Sequence, residues 1–268
     1  MTYLLGRDDP VPRLRPSEIS GIVAVLGAGV VILALQFASG VPRRTWGSSP
    51  GVLTLTEIVP FAVAAAFLVA FVGWSQWDAV WRDPFRLPVP RLVCLLTLVG
   101  CAGVLALLLQ ADWDAVPRST LPLLVLAAVL AGFTHELALR GVLLRSLRVR
   151  RRPEIIGALW TTVVSVLVQL AVLALASTAL TVSDVGAAVG MAALCYLVRR
   201  MTRTLAAAVV LHACWSLGTL IERVHGGPDH PSVDARVAAV GAILALFALA
   251  LTLRGDRTRR ALVDPRLA

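Results

Sequence analysis

The sequence predicts an all-α, polytopic membrane helix bundle with about eight transmembrane helices. Of its 268 residues, 58% are hydrophobic and 15% are charged, and the mean hydropathy is +0.82. The apolar residues form runs of roughly twenty, the length that a helix needs to cross a hydrocarbon layer about 30 Å thick. In lipid only helices and closed barrels satisfy their own backbone groups, and these runs lack the alternation of barrel strands.

Eight apolar stretches define the predicted spans. They are Ile19–Ala38, Leu53–Trp74, Leu92–Leu109, Leu121–Leu139, Ile155–Ala176, Val185–Val198, Thr204–Ile221 and Val237–Leu253. The sixth is only roughly 21 Å long as a helix, so we expect it to begin nearer Thr178 or to lie buried among other helices. The predicted membrane domain is therefore residues 19–254, between a cytoplasmic N-terminal tail at 1–18 and a basic cytoplasmic tail at 255–268.

The arginine distribution predicts the orientation. All 25 basic residues are arginines; with a cytoplasmic N-terminus, 19 fall in cytoplasmic segments, five in external ones, and Arg140 lies at a membrane boundary. Such a bias is the positive-inside pattern. We therefore predict both termini in the cytoplasm and a location in the plasma (inner) membrane. The net charge of +9 then reflects topology and contact with anionic lipid, and we expect no nucleic-acid partner.

Ionisable or strongly polar side chains inside a span are costly, and they tend to face a cavity or a partner. The fourth span carries His135, Glu136 and Arg140, the fifth Ser165 and Gln169, and the seventh His212 and Ser216. Glu136 precedes Arg145 by nine residues and His212 follows Arg203 by nine, each roughly 14 Å of helix. Glu136 and His212 are therefore predicted to lie at similar depth, and we expect them to line one cavity together with Ser165 and Gln169. The four cysteines lie in spans without a CxxC pair, so we expect packing roles for them.

Helical spacing orders these candidates further. Glu136 and Arg140 are four residues apart, so they share a face and are expected to pair. His212 and Ser216 have the same spacing. His135 is about 100° around the helix from Glu136, so it is expected at the edge of the same cavity.

Taken together, residues of about 120–220 resemble the CPBP family, the CAAX-protease and bacteriocin-processing membrane endopeptidases also called Abi. His135-Glu136-Leu-Ala-Leu-Arg140-Gly141 resembles the family motif Glu-Glu-x-x-x-Arg. Ser165-Val-Leu-Val-Gln169 occupies the place of Phe-x-x-x-His, and the stretch from Gly190 to Ser216 resembles the segment that holds His-x-x-x-Asn.

The resemblance implies a role for each position. In the family, the first glutamate and the second-motif histidine activate a water, and the third-motif histidine and asparagine hold the oxyanion. By position these are His135, Gln169, His212 and Ser216. Only Glu136, Arg140 and His212 keep the family identity.

Three interpretations remain open. In the first, Glu136 or His135 is the general base for a water that cleaves a peptide bond near the cytoplasmic face, while His212 and Ser216 polarise the carbonyl. In the second, His135, Glu136 and His212 bind a metal; neighbouring residues on one helix diverge, so we expect no cofactor. In the third, the protein is an inactive pseudoprotease that acts as a membrane binding, immunity or assembly protein. The expected partners are membrane lipid and a peptide or membrane-protein substrate.

Overall fold

The computed structural model describes residues 12–42, 45–46, 49–83, 89–114, 116–149, 154–176, 182–226, 241, 243 and 245–254. Within these ranges the chain forms helices joined by short turns, and no β-strand is present. The all-α class is therefore confirmed.

Seven helices of the described ranges are long and apolar enough to cross a membrane. They are α1 (Glu18–Ala38), α2 (Pro50–Ser75), α3 (Arg91–Gln110), α4 (Leu121–Arg148), α5 (Glu154–Ala176), α6 (Val182–Thr202) and α7 (Leu205–Gly226). The eighth predicted span, Val237–Leu253, is described as a shorter apolar helix, α8 (Ala245–Arg254). Its first predicted residues lie outside the described part of the chain.

The predicted bounds of the sixth span, Val185–Val198, are wrong, because the helix extends further at both ends. Helix α6 has 21 residues and is long enough to cross a membrane, with Asp184 in its first turn and Arg199 and Arg200 in its last. An apolar pattern stops at such charges. The helix continues through them because an acid at its N-terminus and bases at its C-terminus complement the helix dipole.

The outward surface of the helices is apolar. Ile19 is 72% exposed, Phe37 90% and Leu109 70%, and many other large apolar side chains are exposed as well. Water-soluble monomers rarely expose contiguous apolar surface on this scale. The chain is accordingly a multi-pass membrane protein.

Helix α4 changes its winding at the point that matters for the site. The α-helical turns end at Glu136, a π-helical segment runs over Leu137–Leu143, and all seven of its residues are buried. Wider π turns are rare and often occur at functional sites. Here the segment sets the rotation at which Glu136 and Arg140 enter the core.

Helices α4 and α7 lie in backbone contact because of one glycine. A Cβ atom added to Gly132 would lie 2.8 Å from the backbone nitrogen of Ala213 and 3.1 Å from the carbonyl oxygen of Val209. Both distances are shorter than ordinary van der Waals contact. The close approach brings the next turn of α4, with Glu136, against the turn of α7 that carries His212.

One end of the bundle is fixed by ion pairs around Asp83, in the segment after α2. Its Oδ1 lies 3.0 Å from Nη1 of Arg148 and 2.8 Å from Nη2 of Arg199, and its backbone carbonyl accepts a hydrogen bond of 2.9 Å from Arg203. Burial by itself raises the pKa of Asp83, but the guanidinium groups of Arg148 and Arg199 outweigh burial and hold the pKa below its ordinary value. We call this the arginine-rich end. The arginine distribution predicts that this end faces the cytoplasm.

Candidate active site

The centre of the site is the buried carboxylate of Glu136, which contacts both the His212 ring and the Arg140 guanidinium. Oε1 of Glu136 lies 2.7 Å from Nδ1 of His212 and 3.0 Å from Nη1 of Arg140. Glu136 and Arg140 have no exposed surface, and His212 has 7%. The structure thus brings Glu136 and His212 together across 76 positions of the chain, which is consistent with their similar predicted depths.

Arg140 connects this carboxylate to two further helices. Its Nη2 donates a hydrogen bond of 2.6 Å to the carbonyl oxygen of Ala192 in α6, and its Nη1 donates one of 3.4 Å to the Ser165 hydroxyl in α5. The charge of Arg140 balances that of Glu136, which allows both to lie inside the bundle. The second carboxylate oxygen, Oε2 of Glu136, is buried and has no hydrogen-bond partner among the described residues.

Ser165 is the second centre of the site. Its Oγ lies 3.0 Å from Nε2 of His135, 3.2 Å from Nε2 of Gln169 and 3.4 Å from Nη1 of Arg140. Ser165 itself is completely buried, whereas His135 is partly exposed. The four-residue spacing of Ser165 and Gln169 places these two residues one turn apart on α5. That spacing does not predict that His135 of α4 approaches Ser165.

The two centres form one group of side chains. The rings of His135 and His212 are 4.7 Å apart between centroids, tilted by 53°, and Arg140 bonds to both Glu136 and Ser165. We call this group the polar cluster; it consists of His135, Glu136, Arg140, Ser165, Gln169 and His212. Three helices, α4, α5 and α7, supply it, as the sequence predicts.

Ser216 is placed differently from the other predicted site residues. Its backbone carbonyl accepts a hydrogen bond of 3.0 Å from the Thr219 hydroxyl. Within the described part of the chain, no hydrogen bond joins the Ser216 hydroxyl to the polar cluster. The predicted donor role of Ser216 therefore has no contact in this structure that supports it.

Cys195, for which the sequence predicts only a packing role, lies beside the cluster. Donor atoms of Glu136, Cys195 and His212 lie within 4.8 Å of one another. A carboxylate, a thiolate and an imidazole are zinc-type ligands, so these three residues could hold a divalent cation. Arg140 lies 3.0 Å from the same carboxylate and its positive charge opposes a second cation there. This set contains Cys195 in place of His135, which the sequence suggested as a third ligand. The His135 ring contacts Ser165 instead.

The fold and the polar cluster define a polytopic membrane protein with an ionisable site enclosed by its helices. Residues 117–218 match a family model, Rce1-like, which is described as type II CAAX prenyl endopeptidase Rce1-like. The matched segment contains every residue of the polar cluster. Over this segment the chain is similar to CAAX-protease-type membrane endopeptidases, which confirms the resemblance to the CPBP family there. No curated protein and no solved structure matches the chain significantly.

Proposed function

We propose that the protein is a CPBP-like intramembrane endopeptidase that hydrolyses a peptide bond near its arginine-rich end. The observation that carries this proposal is the buried contact of 2.7 Å between Nδ1 of His212 and Oε1 of Glu136. It lies inside the segment that matches the family model. An imidazole oriented by a carboxylate inside a membrane bundle is costly to maintain for packing alone.

The contacts suggest a division of roles. In its doubly protonated form, His212 donates Nδ1–H to the Glu136 carboxylate and can donate its other N–H to polarise the scissile carbonyl. His135 is the better general base of the two that the sequence offers, because it is partly exposed whereas Glu136 is completely buried. A neutral imidazole can take up a proton near pH 7. Arg140 is a positioning residue that holds Glu136.

The proposed surroundings follow from the topology. The protein would lie in the plasma (inner) membrane with a cytoplasmic N-terminus, so that the arginine-rich end faces the cytoplasm. Its substrate would be a peptide or a membrane protein that reaches the bundle through lipid. The description of the matched family makes prenylated CAAX peptides the first substrates to test.

A second function has an observation in its favour. Glu136, Arg140 and Ser165 each have no exposed surface, and the positions of the family's first glutamate and helper histidine hold His135 and Gln169. A closed cluster without the usual base fits an inactive pseudoprotease. Such a protein would bind peptides or lipids as a membrane binding, immunity or assembly protein.

One experiment distinguishes the two functions. The purified full-length protein in lipid nanodiscs is incubated with a membrane-peptide library that includes prenylated CAAX peptides, and the products are identified by mass spectrometry. We expect cleavage by the wild type and a loss of about 10²-fold or more in Glu136→Gln and His212→Ala. Glu18→Gln, the same change as Glu136→Gln but in the first turn of α1, should retain activity.

The double variant His135→Glu/Gln169→His completes the design. Cleavage by this variant alone, with an inert wild type, would identify a disabled protease and reject our proposal. Full activity in both Glu136→Gln and His212→Ala would reject the polar cluster as the active site.

A further inference from the structure

A small groove lies between α3 and α7, and none of the residues of the polar cluster lines it. Its volume is about 40 Å³. The wall that α3 supplies is apolar, whereas the wall that α7 supplies carries polar side chains as well. The lining residues that matter below are Val104, Leu107 and Leu108 on α3, and Trp215, Gly218, Thr219 and Glu222 on α7.

The groove opens near the membrane surface opposite the arginine-rich end. Glu222 follows Leu205, the first residue of α7, by 17 residues, which is roughly 26 Å of helix. The hydrocarbon layer is about 30 Å thick, and the arginine-rich end lies just before Leu205. Trp215, Thr219 and Glu222 are each partly exposed. A lipid molecule of the opposite leaflet can therefore reach the groove where its acyl chains meet its headgroup.

The polar side chains of the groove accept hydrogen bonds and carry negative charge. Within the described part of the chain, no hydrogen bond or ion pair reaches the Glu222 carboxylate, and a carboxylate at the edge of lipid is costly without a partner. The Thr219 hydroxyl donates its proton to the Ser216 carbonyl at 3.0 Å, so its oxygen is left to accept. Trp215, one turn before Thr219, adds an aromatic ring, which attracts cations. The groove is thus suited to a cation with hydrogen-bond donors.

The volume of the groove limits the size of that cation. One water-sized group needs about 10–15 Å³ of such space, so the groove takes about three. A terminal aminoethyl group, with two carbons and one nitrogen, has this size. A peptide strand or a helix of a partner protein is far larger.

From the position, charge and size of the groove we propose that it binds the headgroup of an aminophospholipid, a membrane lipid with a primary ammonium such as phosphatidylethanolamine. The ammonium donates to the Glu222 carboxylate and the Thr219 hydroxyl, and an acyl chain lies along the apolar wall of α3. Gly218 leaves the room for the headgroup, because a Cβ there would already lie 3.9 Å from the Leu108 Cα. This lipid site goes beyond the proposed endopeptidase function and does not depend on it.

The test measures lipid retention by native mass spectrometry. Purified full-length protein is exchanged into micelles that contain equal amounts of phosphatidylethanolamine and phosphatidylcholine with identical acyl chains. Both headgroups carry a positive charge on nitrogen, but only the ethanolamine ammonium has N–H donors. Because hydrogen bonds between charged groups are strong, we expect the wild type to retain phosphatidylethanolamine about tenfold more often than phosphatidylcholine.

Two variants with matched controls locate this preference. Glu222→Gln keeps the shape of the side chain but removes its charge, and it should lower the preference about tenfold. Glu18→Gln, the same change in the first turn of α1, should leave the preference unchanged. Gly218→Leu should fill the groove and exclude the lipid. Gly103→Leu, at a position where nothing lies within 4 Å of an added Cβ, should not.

The outcomes decide the proposal without reference to peptidase activity. A preference that disappears in Glu222→Gln and Gly218→Leu, and persists in both controls, supports the lipid site. Equal retention of the two lipids by the wild type overturns it, and so does a preference that survives in both groove variants. Peptide cleavage is measured separately, so failure of the endopeptidase and failure of the lipid site are distinguishable.

Discussion

Gly132→Ala should separate the two helices that build the site. The added Cβ would lie 2.8 Å from the Ala213 nitrogen, whereas ordinary contact begins at 3.4 Å. The atoms that it meets are backbone atoms of α7, which cannot rotate away as a side chain would. Helix α7 must therefore move outwards by about 0.6 Å, the difference between these distances.

The displacement has a structural and a chemical consequence. Because His212 is the chain neighbour of Ala213, its 2.7 Å contact with Glu136 would lengthen to about 3.3 Å, beyond the usual range of such hydrogen bonds. Overpacking of this kind typically costs about 1–3 kcal/mol. A misplacement approaching 1 Å can reduce catalysis by about 10²-fold.

The assay needs a control for helix propensity, since alanine is favoured over glycine in any helix by roughly 0.5–1 kcal/mol. Gly103→Ala in α3 supplies it, because nothing lies within 4 Å of a Cβ at that position. Unfolding by SDS in mixed micelles should show Gly132→Ala less stable than Gly103→Ala by about 1–3 kcal/mol, and peptide cleavage should fall only in Gly132→Ala. Equal unfolding midpoints for the two variants would refute the backbone contact between α4 and α7.

Two further predictions concern the buried charges. Arg140→Met leaves the Glu136 carboxylate uncompensated and should cost about 3–5 kcal/mol of unfolding free energy, whereas the exposed Arg118→Met should cost almost nothing; equal losses in an SDS titration would contradict the buried ion pair. Because the pKa of Asp83 is depressed in the fold, its ion pairs stabilise the protein above about pH 4 and weaken as the pH falls through that depressed pKa. Melting temperatures between pH 3 and 7 should therefore show Asp83→Asn below the wild type at neutral pH and converging with it in acid, with the exposed Asp114→Asn following the wild type; a constant gap would contradict the assignment.

The sequence predicts most of the fold because lipid imposes a simple rule. Apolar runs locate α1 to α7. They do not predict the ends of α6, because Asp184 and Arg199 belong to this helix although they are charged. The same rule cannot anticipate the π segment over Leu137–Leu143. Its residues are as apolar as those of an ordinary turn, and the wider winding depends on tertiary packing.

The site is predictable only where spacing or depth decides it. The four-residue spacing predicts the pair of Glu136 and Arg140, and equal depth predicts the approach of His212. The contact of Ser165 with His135 depends on how α5 is rotated against α4, which the spacing of Ser165 and Gln169 within α5 does not determine. The hydrogen bond from Arg140 to the Ala192 carbonyl cannot be predicted from the sequence, because every residue has a backbone carbonyl.

The polar cluster divides in a way that bears on its function. The three residues that keep the family identity, Glu136, Arg140 and His212, contact one another through a single carboxylate oxygen. Two of the positions that depart from the family motifs, His135 and Gln169, meet at a single hydroxyl, that of Ser165, which stands in the place of the motif's phenylalanine.

Arg140 donates hydrogen bonds to both Glu136 and Ser165, so the two halves are joined and a change in one should disturb the other. His135 and Gln169 stand where the family resemblance places the glutamate and the histidine that activate a water, so this half bears on whether the protein can activate one. The double variant His135→Glu/Gln169→His, which restores both family identities, therefore distinguishes an enzyme with an exchanged base from an inactive relative.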